Sequence, residues 1–260
     1  MSRHERLSQI AALVIERGAL RVEDIVENLD ISAATARRDL DELAAQQLIV
    51  RTRGGASAPP VSGEIPIRYR TILHNDAKER IAKAAAALVL PGDTIGLNGG
   101  TTTTLIGREI ALRCGADKQF GPASVTVVTN AINIANELVV RPQLRVVVTG
   151  GVVRPNTFEL TGPLTALVLP AIAIDTLFLG LVGLEPRRGA YNDDAGEAMV
   201  NGALVENASR VVAIADSSKL GRRAFAKICD IDALDMLITD AVSVEQRELL
   251  ENSGVEVVLA

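Results

Sequence analysis

Residues 32–56 read SAATARRDLDELAAQQLIVRTRGGA, and this stretch decides the fold of the first part of the chain. Ser32 is a favoured N-cap residue, so the sequence predicts a helix from Ser32 to about Gln47. Residues 48–53 are β-prone, and Gly54-Gly55 ends them with a turn. A helix followed by a short hairpin is the second half of a winged helix-turn-helix.

The residues before this stretch supply the rest of that fold. Apolar residues recur at helical spacing in two segments, and the tight turn Asp30-Ile31 separates the second segment from Ser32. The periodic positions are Leu7, Ile10, Leu13, Val14, Val22, Ile25, Val26 and Leu29. We therefore expect a winged helix-turn-helix over residues 1–57.

The third helix has one apolar face, suited to packing in a core, and an opposite polar face, suited to contact with DNA. At 100° per residue, one face collects Ala36, Leu40, Leu43, Ala44 and Gln47, and the opposite face carries Ala34, Thr35 and Arg38, with Arg37 at the edge. Small or hydroxyl residues let a helix enter the major groove, and arginine reaches guanine edges or phosphates. The residues expected to contact DNA are Ser32, Thr35, Arg37 and Arg38 in the helix region and Arg51 and Arg53 in the wing.

Charge alone does not favour this interpretation. The chain has 27 Lys+Arg against 32 Asp+Glu, a net charge of −5, which at face value argues against a nucleic-acid binder. Residues 1–56 hold 8 basic and 9 acidic side chains. A solvated helix face, or a docking or dimerisation module, therefore stays an alternative, and the placement of four arginines between residues 37 and 53 is what favours DNA.

Composition excludes several other classes of protein. With 48% hydrophobic and 23% charged residues the chain is not globally disordered. Its two histidines and two cysteines give no multi-histidine metal site and no disulfide framework, so we expect no metal and no cofactor. The apolar stretch 160–184 is broken by Pro163, Pro170 and Asp175 into pieces too short to span a membrane, and it predicts a buried helix followed by a buried strand. We expect a cytoplasmic protein with no membrane partner, whose cysteines are small buried hydrophobic residues.

The pattern of the sequence changes after the linker predicted at residues 58–74. Residues 75–260 open with an Ala-rich helix over 78–90, and then short β-branched runs alternate with helical patterns. The predicted strands are 94–97, 125–129, 144–149, 176–181, 210–215, 236–239 and 255–259. Continuous apolar runs separated by helices predict an open, mostly parallel sheet covered on both faces.

Three strand ends in this part carry residues suited to an anionic ligand. They are Asn98-Gly99-Gly100-Thr101-Thr102, Thr129-Asn130 and Gly150-Gly151. Glycines admit a close ligand, and a helix N-terminus favours phosphate. Carboxyl ends of parallel strands converge on one crevice, so the sequence predicts a ligand site there.

Charged residues complete the expected ligand site. Lys219 follows another strand end and can reach an anion. Asp193 and Glu197 lie near a helix start, where carboxylates suit the helix dipole; we assign capping to Asp194 and contact with a ligand hydroxyl to Asp193 and Glu197.

The sequence also resembles the DeoR/GlpR family of bacterial transcriptional regulators. Thr35-Ala36-Arg37-Arg38-Asp39-Leu40 and Arg51-Thr52-Arg53-Gly54-Gly55-Ala56 resemble its N-terminal signature, with Ala36 in place of isoleucine and Arg53 in place of histidine. Segments in the order of the family's effector domain follow, including the one that carries Lys78. Departures occur at Asn98 and at Asn201, where the family commonly has aspartate and lysine.

This resemblance implies a second domain like ribose-5-phosphate isomerase and a phosphorylated sugar or polyol as effector, with Lys78 among the effector-binding residues. It also implies release from an operator on double-stranded DNA, and assembly as a homodimer or higher homo-oligomer. A repressor of a sugar-metabolism operon is the function expected.

Two other classes of protein stay open at this point. A sugar-phosphate isomerase or deaminase would share the second domain, but it needs a general base, and residues 75–260 contain no histidine. A protein-docking adaptor would keep the helical head but make no use of Arg37 and Arg38.

Overall fold

The chain divides into two units, residues 1–75 and residues 76–260, which are called the head and the body below. The structure is a computed structural model and describes residues 3–46, 48–58 and 75–260. The predicted linker falls, apart from Ala58, outside the described residues. Within the described part of the chain no helix is long and apolar enough to cross a membrane.

Three helices and a small sheet form the head. Its elements are α1 (Arg3–Arg17), β1 (Ala19–Arg21), α2 (Val22–Leu29), α3 (Ala33–Ala45), β2 (Val50–Thr52) and β3 (Gly55–Ser57). The strands pair antiparallel in the order β1-β3-β2. Asp30 ends α2 in the left-handed conformation, at φ 50°, which aspartate tolerates better than most residues. This is the predicted winged helix-turn-helix, with β1 as an added strand.

The head core follows the predicted helical spacing. Ile10, Val14 and Ile25 from the first two helices are fully buried, and Leu40 and Leu43 from α3 pack against them. Each buried aliphatic side chain contributes about 1.5–3 kcal/mol relative to exposure. This core fixes the face that α3 turns outward.

A seven-stranded parallel sheet is the centre of the body. Its strands are β4 (Thr94–Leu97), β5 (Val125–Thr129), β6 (Leu144–Val148), β9 (Ile174–Gly180), β12 (Ala208–Ile214), β14 (Met236–Thr239) and β15 (Glu256–Leu259). They lie in the order β15-β14-β12-β9-β4-β5-β6, and every pair is parallel. All seven predicted strands are confirmed.

Helices cover both faces of this sheet. They are α4 (Asn75–Ala87), α5 (Thr101–Ala116), α6 (Ile132–Leu138), α7 (Pro163–Val168), α8 (Ala195–Glu206) and α9 (Val244–Asn252). Neighbouring strand residues belong to different cores: Phe178 packs in one, and Leu177 and Leu179 in the other. The alternation follows from the period of two along a strand.

Short strands outside the main sheet were not predicted. They are β7 (Val152–Val153), β8 (Leu160–Thr161), β10 (Gly183–Glu185), β11 (Gly189–Asn192) and β13 (Ala226–Cys229). β7 and β8 form a two-stranded ribbon, and β10, β11 and β13 form a small antiparallel sheet.

Several sequence predictions of local structure are wrong in their limits or in their burial. The third helix ends at Ala45 with Gln46 as its C-cap, and Gln47 lies outside the described residues. The Ala-rich helix begins at Asn75 and ends at Ala87, before Pro91. The predicted buried helix in 160–174 is α7, and it lies at the surface with Leu164 and Leu167 exposed. The absence of charge in this segment predicts burial, but one side of α7 contacts no other part of the described body and is exposed to solvent.

Candidate functional site

α3 presents its arginines on the side opposite the head core. Ala36 and Leu40 are fully buried, while Arg37 and Arg38 are exposed and form no ion pair with the described residues. The Ser32 hydroxyl accepts a hydrogen bond from the Thr35 backbone N–H at 3.2 Å, so Ser32 caps the helix as predicted. The exposed arginines are free to meet phosphates or base edges.

A buried ion pair holds α3 in place. Arg6 on α1 donates two hydrogen bonds to Asp39, at 2.6 and 3.3 Å, and the Asp39 side chain is only 2% exposed. The hydrogen bond to Asp39 raises the pKa of Arg6 above its ordinary value. Sequence reasoning missed this pair, because the partners are far apart in the chain. The pair therefore joins α3 to α1.

The wing arginines differ from each other. The Arg51 Nε lies 2.9 Å from Asp41 Oδ1, and Arg51 also donates to the Gly55 carbonyl at 2.6 Å. Arg51 thus ties the wing to α3. Arg53 lies at the tip of the β2–β3 turn, exposed and without an ion pair among the described residues. The predicted DNA contacts of both arginines stay predictions.

The body has its crevice at the point where the strand order reverses. β4 and β9 are neighbours, and the chain leaves them in opposite directions along the sheet. The Asn98 amide joins their carboxyl ends: it donates to the Gly180 carbonyl at 2.9 Å and accepts from the Gly180 N–H at 2.7 Å. α5 begins here, after Gly100. Ligands of open α/β sheets bind at such a switch point.

A carboxylate that the sequence did not single out lies at this point. Glu159 is buried, and the Asn130 amide donates to its Oε2 at 3.1 Å. A methyl group at Gly99 would lie 2.1 Å from Glu159 Cγ, so glycine is required there. We name Asn98, Gly99, Asn130 and Glu159 the switch cluster.

Hydroxyl and amide groups around the switch cluster are not all used. Thr101 and Thr102 are half-buried in the first turn of α5, and Thr129 accepts a hydrogen bond from the Ala131 N–H at 3.0 Å. Thr103 Oγ1 and Asn130 Oδ1 are buried and find no hydrogen-bond partner among the described residues. Buried polar atoms of this kind are completed by a water or a ligand.

A second polar cluster surrounds Glu197. Its carboxylate accepts from the Thr157 hydroxyl at 2.7 Å and lies 3.0 Å from Arg154 Nε, while Arg154 also donates to Asp194 at 2.6 Å. Asp194 caps α8 as predicted, accepting from the Glu197 N–H at 3.0 Å. We name Arg154, Thr157, Asp194 and Glu197 the arginine cluster.

One loop links the two clusters. Residues 154–159, between β7 and β8, carry Arg154 and Thr157 of the arginine cluster and Glu159 of the switch cluster, and the Arg154 N–H donates to the Glu159 carbonyl at 2.8 Å. The sequence signal was the polar run RPNTFE inside an apolar region.

The other predicted ligand residues lie in separate elements. The Gly150 carbonyl accepts from the Thr165 hydroxyl at 2.8 Å, and a methyl at Gly151 would lie 2.2 Å from that hydroxyl. Lys78 is buried on α4, Lys219 is half-buried in the turn after β12, and Asp193 is half-buried between β11 and α8. Within the described residues no group of three or more His, Cys, Asp or Glu side chains is placed to hold a metal ion.

Comparison with known proteins decides the family. The family model of the DeoR-like helix-turn-helix domain matches residues 6–60, and that of the DeoR C terminal sensor domain matches residues 73–241. The chain belongs to the DeoR family.

Curated relatives match over nearly the whole chain. The glycerol-3-phosphate regulon repressor of Escherichia coli K12 is 32% identical over 93% of this chain and 92% of its own length. The HTH-type transcriptional repressor GlcR of Bacillus subtilis is 31% identical over 100% and 97%. The lactose phosphotransferase system repressor of Staphylococcus epidermidis is 30% identical over 99% and 100%.

Solved structures are more distant. Ribose 5-phosphate isomerase A from Methanocaldococcus jannaschii aligns with a TM-score of 0.42 and 22% identity, over 56% of this chain and 54% of that one. The sorbitol operon regulator SorC from Klebsiella pneumoniae aligns with a TM-score of 0.42 and 12% identity, over 96% and 99%.

Proposed function

We propose that this DeoR-family chain is a cytoplasmic, non-enzymatic repressor of a carbohydrate operon, released from its operator by a phosphorylated sugar or polyol. The observation that carries the proposal is the presence, in one chain, of an outward arginine face on α3 and a polar crevice at the switch point of the body. The relatives named above are repressors of glycerol-3-phosphate and sugar systems, in agreement with this function.

The effector binds at the start of α5. Free backbone N–H groups at a helix N-terminus favour a phosphate, and the Thr101 and Thr102 hydroxyls add donors there. Lys219 and Lys78 contribute positive charge to this end of the sheet. The carbon chain of the effector then extends toward the switch cluster, where Glu159 and Asn130 Oδ1 accept hydrogen bonds from its hydroxyl groups.

Asp193 and Glu197 contribute from the side of α8. Because Glu197 is already held by Arg154 and Thr157, an effector hydroxyl that reaches it competes with an existing ion pair. The repressor acts as a homodimer or higher homo-oligomer, in which two copies of α3 read two half-sites one helical turn, or a multiple of it, apart.

DNA binding and release test the function directly. The purified chain is titrated onto DNA from upstream of its own operon, with unrelated DNA as competitor, and then with a panel of phosphorylated sugars and polyols. We expect specific binding that one compound weakens at least tenfold. Absence of specific DNA binding contradicts the repressor function, and a compound that binds without changing DNA affinity contradicts release. Isomerisation or deamination of any compound at enzyme-like rates contradicts the non-enzymatic assignment.

Gly99→Ala tests the position of the effector. The added methyl displaces the buried Glu159 carboxylate, so we expect effector affinity to fall at least tenfold while DNA affinity without effector stays within twofold. Calorimetric titration and DNA binding measure the two quantities.

Gly115→Ala is the matched control. Gly115 also lies on α5, but a methyl there meets no atom within 4 Å, so both affinities should stay at the wild-type values. Unchanged effector affinity in a folded Gly99→Ala chain would place the effector elsewhere.

A further inference from the structure

Asn201 lies one turn after Glu197 on α8, and its side-chain amide makes no hydrogen bond with the described residues. The residue is completely buried, and neither Nδ2 nor Oδ1 has a partner. Among the side chains that the structure describes, it is the only one whose polar nitrogen and polar oxygen are both buried and unpartnered. A buried amide in this state costs free energy unless a water or a ligand completes its hydrogen bonds.

The amide of Asn201 leans toward the start of α8. Side chains of a helix point toward its N-terminus, so Asn201 covers the positions three and four residues earlier, which are Ala198 and Glu197. Ala198, Leu204 on the following turn and Leu179 on β9 belong to one apolar core and offer no side-chain hydrogen bond. A partner for the amide therefore comes from the side of Glu197, where the arginine cluster lies.

A second buried group beside Glu197 is also incompletely bonded. Arg154 Nε lies 3.0 Å from Glu197 Oε1, but it forms no hydrogen bond with this oxygen or with any other described group. The same oxygen already accepts a hydrogen bond from the Thr157 hydroxyl at 2.7 Å. The start of α8 thus holds a guanidinium donor and an amide that the described residues do not complete.

The charges near Asn201 favour an uncharged ligand group. The carboxylates of Asp193, Asp194 and Glu197 lie at or just before the first turn of α8. Arg154 is the cation that pairs with the last two of them. This excess of negative charge disfavours a phosphate or a carboxylate. Hydroxyl groups are uncharged, and an amide binds two adjacent ones, because its N–H donates to one and its carbonyl accepts from the other.

We propose that Asn201 is a specificity-determining residue of the effector site and that its amide binds two hydroxyl groups on neighbouring carbons of the effector. This inference rests on the proposed function and deepens it. The phosphate of the effector lies at the start of α5, and its uncharged, hydroxylated end reaches the inner face of α8. A compound without these hydroxyls leaves the amide unpartnered and is therefore rejected.

Calorimetric titration of the full-length wild type tests the contact from the side of the ligand. The probes are glycerol 3-phosphate, ribose 5-phosphate and the 6-phosphates of hexoses and hexitols, each beside its monodeoxy analogues. For a phosphorylated probe that binds, we expect two neighbouring positions at which loss of the hydroxyl weakens binding about tenfold or more. A wild type that binds every deoxy analogue as tightly as its parent overturns the proposal, and this series needs no variant.

Asn201→Leu tests the contact from the side of the protein. The substitution removes the amide and keeps the approximate size of the side chain. We expect it to bind the parent probe about tenfold or more weakly and to lose the distinction between parent and deoxy analogues. Because the free chain loses an unpartnered buried amide, it should unfold at or above the wild-type temperature. Thermal unfolding by circular dichroism thus separates loss of the contact from loss of the fold.

Ser124→Ala is the matched control. The Ser124 hydroxyl is also buried and has no partner among the described residues. Ser124 directly precedes β5, however, and so lies at the amino end of the sheet, opposite the crevice. Its replacement should leave the affinity for every probe at the wild-type value.

The outcomes separate this contact from the proposed function. A folded Asn201→Leu chain that keeps the wild-type affinity shows that the amide holds only water, and it overturns the proposal. Weaker binding with an unchanged distinction between parent and deoxy analogues also overturns it, because Asn201 would then act through other residues. Release of the operator by a probe that Asn201→Leu binds normally removes this contact alone, and binding through Asn201 without release removes the release mechanism alone. Absence of binding by every probe contradicts both.

Discussion

The head and the body use polar side chains in opposite ways. In the head, Arg37, Arg38 and Arg53 are exposed and make no ion pair with the described residues. In the body, Asn130 and Glu159 are buried and bonded to each other. Duplex DNA stays outside a protein, so its contacts must be exposed, whereas a small molecule is enclosed and its contacts come from the interior. A net charge taken over the whole chain therefore says little about DNA.

The head also contains arginines that are paired with carboxylates, and these pairs support the exposed arginines. Arg6–Asp39 is buried and Arg51 is tied to Asp41, and both contacts hold the elements that present the exposed arginines. Arg6 and Arg51 thus hold these elements in place, whereas Arg37, Arg38 and Arg53 make no ion pair with the described residues.

The largest effect is expected from Asp39→Ala. It leaves Arg6 without its carboxylate in a mostly buried site, which should destabilise the head by about 2–3 kcal/mol. Thermal unfolding of the full chain, followed by circular dichroism, measures the loss.

Glu42→Ala removes the neighbouring pair between the same two helices. Arg3 is 65% exposed there, so the cost should be below about 1 kcal/mol. Equal losses of unfolding free energy in Asp39→Ala and Glu42→Ala would show that burial does not make the Arg6–Asp39 pair the stronger of the two.

Arg38→Ala tests the exposed side of the comparison. If Arg38 contacts a base, specific binding weakens by about 1–3 kcal/mol while non-specific binding changes much less. Stability should be unchanged, because Arg38 makes no described contact. Arg17→Ala, an exposed arginine at the end of α1, is the control and should leave operator affinity unaltered. Equal weakening on specific and unrelated DNA would assign Arg38 to a phosphate instead.

The fold could be predicted further than the site. The central strands of the parallel sheet are largely buried, so they appear as runs rich in apolar residues, and strand limits such as 94–97, 125–129 and 236–239 were predicted to the residue. The ribbon and the small sheet are short or partly exposed, and they leave no such run. Glu159 and Asp39 were missed because their roles come from partners distant in sequence. The direction in which α7 faces depends on packing and was predicted wrongly from composition.

The smallest effect is expected from the two cysteines of the body, which have no assigned role but are also enclosed. Burial raises the pKa of the Cys229 thiol to about 11, although a backbone hydrogen bond to Ala190 acts to lower it, and burial also raises the pKa of the Cys114 thiol. The thiolate is the reactive form, so at pH 8 alkylation of Cys229 in the folded chain should be about two orders of magnitude slower than that of a free thiol with a pKa of about 8.5. Mass spectrometry after iodoacetamide treatment, with the guanidinium-unfolded chain as the control, measures this.

The same shift fixes the direction of the pH dependence. As pH rises above about 9, the unfolded chain releases the Cys229 proton before the folded chain does, so this thiol contributes a loss of stability between about pH 9 and 11. Cys229→Ser should reduce that loss. Cys229 is half-buried on β13, and fast alkylation of the folded chain at pH 8 would mean that its thiol is open to solvent in spite of the surrounding side chains. The contrast between exposed groups in the head and enclosed groups in the body would then hold for the crevice but not for Cys229.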